Sequence, residues 1–443
     1  MFIQRLKNIY HFFRSIAAAV WFGFPANKLV VIGVTGTNGK TTTVQMIVKV
    51  LEAAGYKVAM SSTINFKIAG KEWVNRTKYT TRSGWQVQKF IRQAVDAGCQ
   101  YLVLETSSHS LDQNRVWGIA YDVAVITNVT REHLDYHRTM VNYHRAKERL
   151  FTLVSERKQK MVDGKLIERV LVVNAEMDKA DLYLKPAAEK KYIYQVADTG
   201  GLAAMTALND VTAVVASEVA YDLQGVSFQV GKQAYALNLV GRVNVENALA
   251  AIATGISQGC AAEKMSEALA MIEKIPGRMD KVANNRGVHI IIDYALTPDS
   301  MEKLGSLILG MKKAGAKLIW VFGSCGERDR GKRPIMGAIV ANYADLVLVT
   351  NEDPYHEDPK QIIDEVFKGV VENDKGSNVK IEGVNAWRIM DRKKAIEKAL
   401  KLAVKDDIVL ITGKGAEETM AIGDERIEWN DRQVVMDILG IYS

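Results

Sequence analysis

The chain has 443 residues, too many for one ordinary core, so two domains are expected. With 48% hydrophobic and 25% charged residues it has a globular composition, and Cys99, Cys260 and Cys325 lie too far apart for a disulfide framework or a zinc site, which fits a reducing cytoplasm. The net charge of +7 points to an anionic partner, and the absence of a dense Lys/Arg tract with interleaved aromatics favours nucleotide phosphates over nucleic acid.

Residues 1–28 form a first segment with Arg5, Lys7, Arg14 and Lys28, five phenylalanines and no acid. Its apolar run is interrupted by Arg14 and too short to span a bilayer, and no small-residue cleavage site follows. The pattern is that of a basic, aromatic amphipathic helix, which packs on the protein's own surface or lies as a peripheral contact on the inner face of a membrane.

From residue 29 onward, strand-like runs alternate with helical patterns in the manner of an α/β fold. KLVVIGVTG, YLVLETSS, DVAVITNV and RVLVVNAE read as strands, each ending in small or polar residues, where a doubly wound sheet binds ligands. Between about 190 and 240 short β segments, KYIYQV and VSFQV among them, predict an antiparallel flank, and NVENALAAIATGI is a helix. A second α/β series follows with VHIIIDYA, KLIWVFGS, ADLVLVTNE and DDIVLITGKG. The boundaries are therefore set at 1–28, 29–275 and 276–443.

GVTGTNGKTTT, residues 33–43, joins the first strand to a helix. Gly36 and Gly39 let backbone amides approach phosphate oxygens, with Thr37 and Asn38 between them, and the helix N-terminus adds positive potential. Lys40 reaches the β/γ-phosphates, and the hydroxyl of Thr41 or Thr42 suits Mg2+. The strict pattern places glycine five residues before Gly39, where this chain has Val34, so the loop is a variant. Two polar clusters close the next strands: ETSSHSLDQNRV, with Glu105, Ser107 and Arg115, and TNVTREHLDYH, with His133. Glu105 and His133 are candidate Mg2+ ligands, directly or through water.

These motifs resemble the Mur ligases, and within them the UDP-N-acetylmuramyl-tripeptide synthetases. The likeness runs from about Lys28 to Arg432 through GTNGKTT, TSSHSL with Arg115, TNVTREHLDYHRTMVNYHRAKERLF, GRVNVENALAA, PGRMDKV, DYALTPDSMEKL, FGSCGERDRGKRPIMG, TNEDPYHEDP and GKGAEE. It implies a central P-loop ATPase domain with a mostly parallel sheet, and a C-terminal Rossmann-like domain that closes over it. It further implies ATP-dependent amide formation in peptidoglycan precursor synthesis: a muramyl-peptide-type carboxylate attacks the γ-phosphate, and the amine of an amino acid displaces phosphate from the acyl phosphate. By the same resemblance Lys147 carries a carbamate that helps bind Mg2+; Asn247 lies on the adenine side, Arg278 reaches ATP and Asp293 lies near the ribose. Thr80, Thr81, Ser107 and Arg115 fall on the acceptor side; Arg328, Asp353, Pro354, Tyr355, Gly413 and Glu417 fall on the side of the added amino acid, with Arg328 on its carboxylate. Arg330, Lys332 and Arg333 crowd Arg328, which leaves open a merely solvated basic loop.

Departures from the family pattern sharpen the reading. Relatives that add meso-diaminopimelate carry Asp-Asn-Pro-Arg where this chain has Glu352, Asp353, Pro354 and Tyr355, so the fork for a distal carboxylate is missing and diaminopimelate is disfavoured. Asp353 is expected instead to meet a distal ammonium, which admits lysine or ornithine. Leu296 and Ala416 replace family histidines. Tripeptide synthetases carry a UDP-binding domain before the phosphate loop, and only about 30 residues stand there in this sequence. Two alternatives follow: a subunit amidating a lipid-linked cell-wall precursor, although such relatives carry a four-cysteine zinc insertion, and a non-catalytic ATP-binding partner of a ligase. The oligomeric state is not legible in the sequence.

Overall fold

The computed structural model describes residues 2–77, 79–197, 210–222, 224–372 and 379–441. The chain divides into two compact units, Met1–Glu273 and Lys274–Ser443. In the first unit the strands are β1 (Val30–Thr35), β2 (Val58–Ser61), β3 (Asn65–Ile68), β4 (Lys71–Val74), β5 (Tyr101–Glu105), β6 (Val123–Ile126), β7 (Lys160–Val162), β8 (Lys165–Ile167), β9 (Val170–Asn174), β10 (Lys190–Val196), β11 (Val211–Tyr221), β12 (Val226–Val230) and β13 (Gln233–Leu237). Apart from the β7–β8 hairpin they form one sheet in the order β13-β12-β11-β10-β9-β6-β1-β5-β2-β3-β4.

The central strands β1, β5, β6 and β9 are buried at every position, as expected for parallel strands covered by helices on both faces. β1 lies between β5 and β6, parallel to both, so the chain leaves it on both sides and the carboxyl ends of the three strands meet. That is the position at which such sheets bind ligands.

The antiparallel flank begins later than the sequence predicted. KYIYQV, which is β10, pairs parallel with both β9 and β11, and only β12 and β13 turn antiparallel. The physical reason is the short helix Ala180–Leu184, which carries the chain from β9 to β10 and permits a parallel crossover. The opposite edge, β3 and β4, is a second antiparallel pair.

The amino-terminal helix, Phe2–Trp21, packs on the first unit through Ser15, Ala18 and Ala19, all fully buried. Phe12 meets the edge of Trp117 at 6.1 Å between centroids, Phe22 meets Trp85 at 5.3 Å, and Asn8 Nδ2 donates to Asp112 Oδ2 at 3.2 Å. Tyr10, Phe13, Val20 and Trp21 face outward, with Trp21 75% exposed. Among the described residues no helix is long and apolar enough to cross a membrane.

The second unit contains β14 (Asp280–Val282), β15 (His289–Asp293), β16 (Leu318–Phe322), β17 (Leu346–Thr350), β18 (Ala386–Ile389), β19 (Ile408–Thr412) and a hairpin of β20 (Thr419–Ile422) and β21 (Glu425–Glu428). Its main sheet runs β14-β15-β19-β16-β17-β18, parallel except for β14. A fully buried ion pair ties the carboxyl end of β19 to the last helix: Arg392 meets Asp431 at 2.7 Å and donates to the Thr412 carbonyl at 2.9 Å. Both units therefore offer strand carboxyl ends carrying polar residues, which is where the candidate side chains fall.

Candidate active site

The phosphate loop follows β1 and opens the helix Lys40–Ala53. Gly36 and Gly39 both have positive φ, 147° and 82°, and a Cβ at Gly39 would approach Asn247 Oδ1 to 2.3 Å, so other residues are excluded on conformation and on space. Gly39 caps the helix without a side-chain bond, leaving its first amides directed at the loop. The segment after β6 braces the turn from below: Thr127 Oγ1 donates to the Asn38 carbonyl at 2.6 Å, and Asn128 exchanges two hydrogen bonds with the Asn38 backbone. Thr37 Oγ1 accepts from the Thr130 amide at 3.0 Å and meets the Tyr143 hydroxyl at 3.1 Å. Lys40 Nζ lies over the loop, donating to the Thr37 carbonyl at 2.7 Å. Such a cradle of amides, helix terminus and ammonium fits a nucleoside triphosphate.

Thr41 and Glu105 are brought together. Both are buried, and the Thr41 hydroxyl donates to Glu105 Oε2 at 3.0 Å. The carboxylate also accepts from the Thr63 amide and the Thr63 hydroxyl, each at 2.8 Å. A hydroxyl and a carboxylate beside a phosphate cradle are the hard oxygen donors that Mg2+ takes, so the residues present fit that ion. Thr63 was not singled out in the sequence. The only signal for it was the polar run SSTIN after a short apolar strand.

His133 is placed differently from Glu105. It occupies a left-handed turn with φ 56°, its ring edge-on to His109 at 4.7 Å and 6.1 Å from Tyr143, and it is not among the partners of the Glu105 carboxylate. Among the described residues no group of three His, Cys, Asp or Glu side chains gathers as a metal cage. Lys147, in contrast, is no surface lysine. It is 1% exposed on the helix Met140–Glu156, donates to the Gly36 carbonyl at 2.7 Å and lies 4.3 Å from the centre of the Tyr143 ring. Burial, and then the Lys40 charge, hold its pKa well below the ordinary lysine value.

Thr80, Thr81, Ser107 and Arg115 form one network beyond Glu105. Thr81 Oγ1 donates to the Glu105 carbonyl at 3.1 Å and accepts from the Ser107 amide at 3.1 Å, the Thr63 and Thr80 hydroxyls meet at 3.0 Å, and Arg115 donates to the Thr81 carbonyl. Arg115 Nε is buried without a hydrogen-bond partner among the described residues. Asn247 is 3% exposed and spends its amide on Thr43 and Asn244, so the structure places it beneath the loop rather than on an open face.

In the second unit Asp293 ends β15, accepting from the amides of Met279 and Ala295 at 2.8 Å each. Burial raises its pKa and the nearby Arg278 pulls it back. The Arg278 guanidinium lies 4.7 Å from the Tyr294 ring centre, and the Tyr294 hydroxyl donates to Glu417 at 3.3 Å. Gly413 abuts Glu352, whose buried carboxylate accepts from Cys325 Sγ at 2.9 Å and has its pKa raised by burial. The basic loop resolves into distinct roles: Arg333 is buried on Glu357 and Glu365, Arg330 pairs with Glu357, and Lys332 donates to the Leu296 carbonyl, whereas Arg328 forms no ion pair among the described residues. One expectation needs correction. Asp353 is 3% exposed and already holds Lys414 Nζ at 2.8 Å and the Ala421 amide at 2.7 Å, so it is not free to greet a distal ammonium.

Family models match both units: the Mur ligase middle domain over residues 34–255, and the Mur ligase glutamate ligase domain over residues 277–415. The chain belongs to the Mur ligase family. Members of this family are ATP-dependent ligases that form carbon–nitrogen bonds. This Mur ligase is 34% identical over 428 residues to a UDP-N-acetylmuramoyl-L-alanyl-D-glutamate–2,6-diaminopimelate ligase of Clostridium tetani, covering 96% of this chain and 80% of that protein. It is 36% identical over 422 residues to a UDP-N-acetylmuramyl-tripeptide synthetase of a Roseiflexus species, covering 94% and 79%. A solved diaminopimelate ligase structure superposes with a TM-score of 0.61 at 29% identity, covering 93% of this chain and 78% of that one. Folylpolyglutamate synthase of Mycobacterium tuberculosis, solved with ADP and AMPPCP, shares the fold at a TM-score of 0.67 and 17% identity, covering 91% and 92%.

Proposed function

We propose that this ligase joins an amino acid to a muramyl-peptide-type carboxylate through an acyl phosphate, in peptidoglycan precursor synthesis. The observation that carries the reading is the convergence of Lys40, the Thr41–Glu105 pair and buried Lys147 on one phosphate loop. A carboxylate oxygen of the acceptor attacks the γ-phosphorus and ADP leaves; the amine then attacks the acyl carbon, phosphate leaves, and the amine loses a proton. Lys40 and the helix amides stabilise charge on the transferring phosphoryl group, and Thr41, Glu105 and His133, directly or through water, would hold Mg2+. Mg2+ supplies Lewis-acid neutralisation of the phosphoryl oxygens. Thr80, Thr81, Ser107 and Arg115 lie on the acceptor side; Arg278 and Asp293 serve the nucleotide.

Lys147 carries a carbamate in this reading. Burial and the Lys40 charge lower its pKa and so favour the neutral amine, which adds CO2 with loss of one proton and exchanges an ammonium for oxygen donors that suit Mg2+. Labelled bicarbonate should give a carbamate resonance in 13C NMR that is missing from Lys147→Met, and an unchanged spectrum would remove the assignment.

The central test is mass spectrometry of products formed from ATP, a panel of muramyl-peptide acceptors and mixed amino acids. A new amide product that disappears in Lys40→Ala supports the reading. Wild-type protein that binds ATP yet forms no product would favour a non-catalytic partner instead.

A second reading rests on the outward stripe of Tyr10, Phe13, Val20 and Trp21 on a helix segment without acids, which suits contact with an anionic membrane surface and a lipid-borne acceptor. Because the inner face of this helix is packed, the clean test is Phe13→Glu with Trp21→Glu rather than deletion. Loss of sedimentation with phosphatidylglycerol vesicles supports the contact, and unchanged sedimentation removes it.

A further inference from the structure

The turn that carries His133 does not hold its own shape. The helix Leu134–His137 has only four residues, and it is flanked by His133 at φ 56° and Arg138 at φ 68°, left-handed conformations that residues with side chains keep only under constraint. The constraint comes from neighbouring elements. The Tyr136 hydroxyl donates to Asp112 Oδ2 at 2.6 Å, His137 Nε2 lies 3.0 Å from Ser108 Oγ, and Asn142 donates to the His137 carbonyl at 3.1 Å. Burial, and then the Asp112 bond, push the Tyr136 pKa up to about 12, so its hydroxyl stays a donor. The Tyr136 ring lies on His109 at 4.3 Å between centroids, and the His137 ring lies on Tyr143, whose hydroxyl meets Thr37 of the phosphate loop, at 5.1 Å.

Asp112 is gripped from its other side by the amino-terminal helix. Asn8, Phe12, Ser15, Ala19 and Phe22 recur at the spacing of one helical stripe. That stripe is closely fitted: a Cβ at Gly84 would come within 2.1 Å of Ser15 Oγ, and one at Gly118 within 2.6 Å of the Ala19 Cβ. At its head Asn8 Nδ2 donates to Asp112 Oδ2 at 3.2 Å and to the Asp112 carbonyl at 3.4 Å. Asparagine is a poor helix former, so its place here is explained by this contact rather than by the helix. One carboxylate oxygen thus accepts from the helix and from the His133 turn together.

We propose that Asn8 and Asp112 are positioning residues of the ligase site: the amino-terminal helix, through the Asn8–Asp112–Tyr136 relay, sets the turn of His133 and His137 and with it the support of the phosphate loop. The proposal rests on the ligase reading and gives the inner face of this helix a role that does not depend on a membrane at its outer face. A carboxylate in place of the Asn8 amide would remove the donor and set two like charges against each other, which releases the turn.

The test is a fluorescence titration of the full chain with mant-ATP and Mg2+, on variants shown to be folded by circular dichroism. Asn8→Asp should weaken binding at least about threefold, the size expected of coupled members of one hydrogen-bond network. Asn8→Asp combined with Asp112→Asn exchanges donor and acceptor while leaving an oxygen for Tyr136, and should recover most of the loss. Tyr136→Phe, which keeps the ring on His109 and removes only the hydroxyl, should weaken binding as well, and it carries the test if Asn8→Asp does not fold. Wild-type affinity in both Asn8→Asp and Tyr136→Phe, with only their urea midpoints lowered, would overturn the proposal, as would a loss in Asn8→Asp that the exchanged pair does not repair. The ligase reading fails separately, when wild type binds mant-ATP but forms no amide from ATP.

Discussion

Lys147 in the first unit and Lys414 in the second are equally hidden, 1% and 0% exposed, yet burial leaves them in opposite states. Lys147 has the Gly36 carbonyl as its hydrogen-bond acceptor and Lys40 as a like charge nearby, and its pKa falls well below the ordinary value. Lys414 has Asp353 and Glu417 against its ammonium, and these carboxylates raise its pKa although burial alone would lower it. Partners, not depth, decide the charge. One lysine is thereby pushed toward the neutral amine beside a phosphate loop, and the other is a fixed cation that ties the loop after β17 to the segment between β19 and β20.

The comparison breaks most sharply on stability. Lys414→Met leaves Asp353 and Glu417 without their shared cation and should cost about 3–5 kcal/mol in urea unfolding, as breaking a buried pair does. Lys147→Met removes one hydrogen bond but also spares the deprotonation of a lysine on folding, so its net cost should stay within about 1 kcal/mol. Turnover should follow the reverse order, with Lys147→Met inactive. Equal destabilisation by the two variants would mean that Lys147 is folded as a cation.

A smaller effect separates the groups that touch the Glu105 carboxylate from those that support it. Thr63→Val removes the hydroxyl bonds to Glu105 and Thr80 while keeping the backbone amide on Glu105. It should lower ATP turnover by about tenfold, the equivalent of about 1.4 kcal/mol, with unfolding unchanged. A variant with wild-type turnover would show that Thr41 and the Thr63 amide suffice to orient the carboxylate.

Residues that act through the chain's local pattern were legible in the sequence. The loop glycines, Lys40, Thr41 and Glu105 sit at strand ends whose apolar runs announce them, and the structure brings Thr41 to Glu105. Residues brought in by tertiary packing were not. Thr63 follows a four-residue strand with no motif around it. Asp353 was misread because the sequence cannot show that Lys414, from another strand end, already occupies it. The parallel pairing of β10 was missed for a related reason: a five-residue helix is too short to register as a crossover.

The finest test is the slope of stability against pH in bicarbonate-free buffer. A lysine whose folded pKa lies below its unfolded value binds fewer protons when folded, so ΔG of unfolding rises with pH between the lowered value and the ordinary value of about 10.4, and is flat above it. Lys147 therefore contributes a slope that rises up to about 10.4. Lys414 has its pKa raised, so its stabilisation is fully present below about 10.4 and is lost only as pH climbs through the higher folded value. As pH approaches about 10.4 from below, Lys147→Met should flatten the wild-type slope, while Lys414→Met should lower the whole curve and leave its slope alone. Urea midpoints across that range check both. A slope that survives Lys147→Met would assign it to another group and leave the two lysines distinguished by their partners alone.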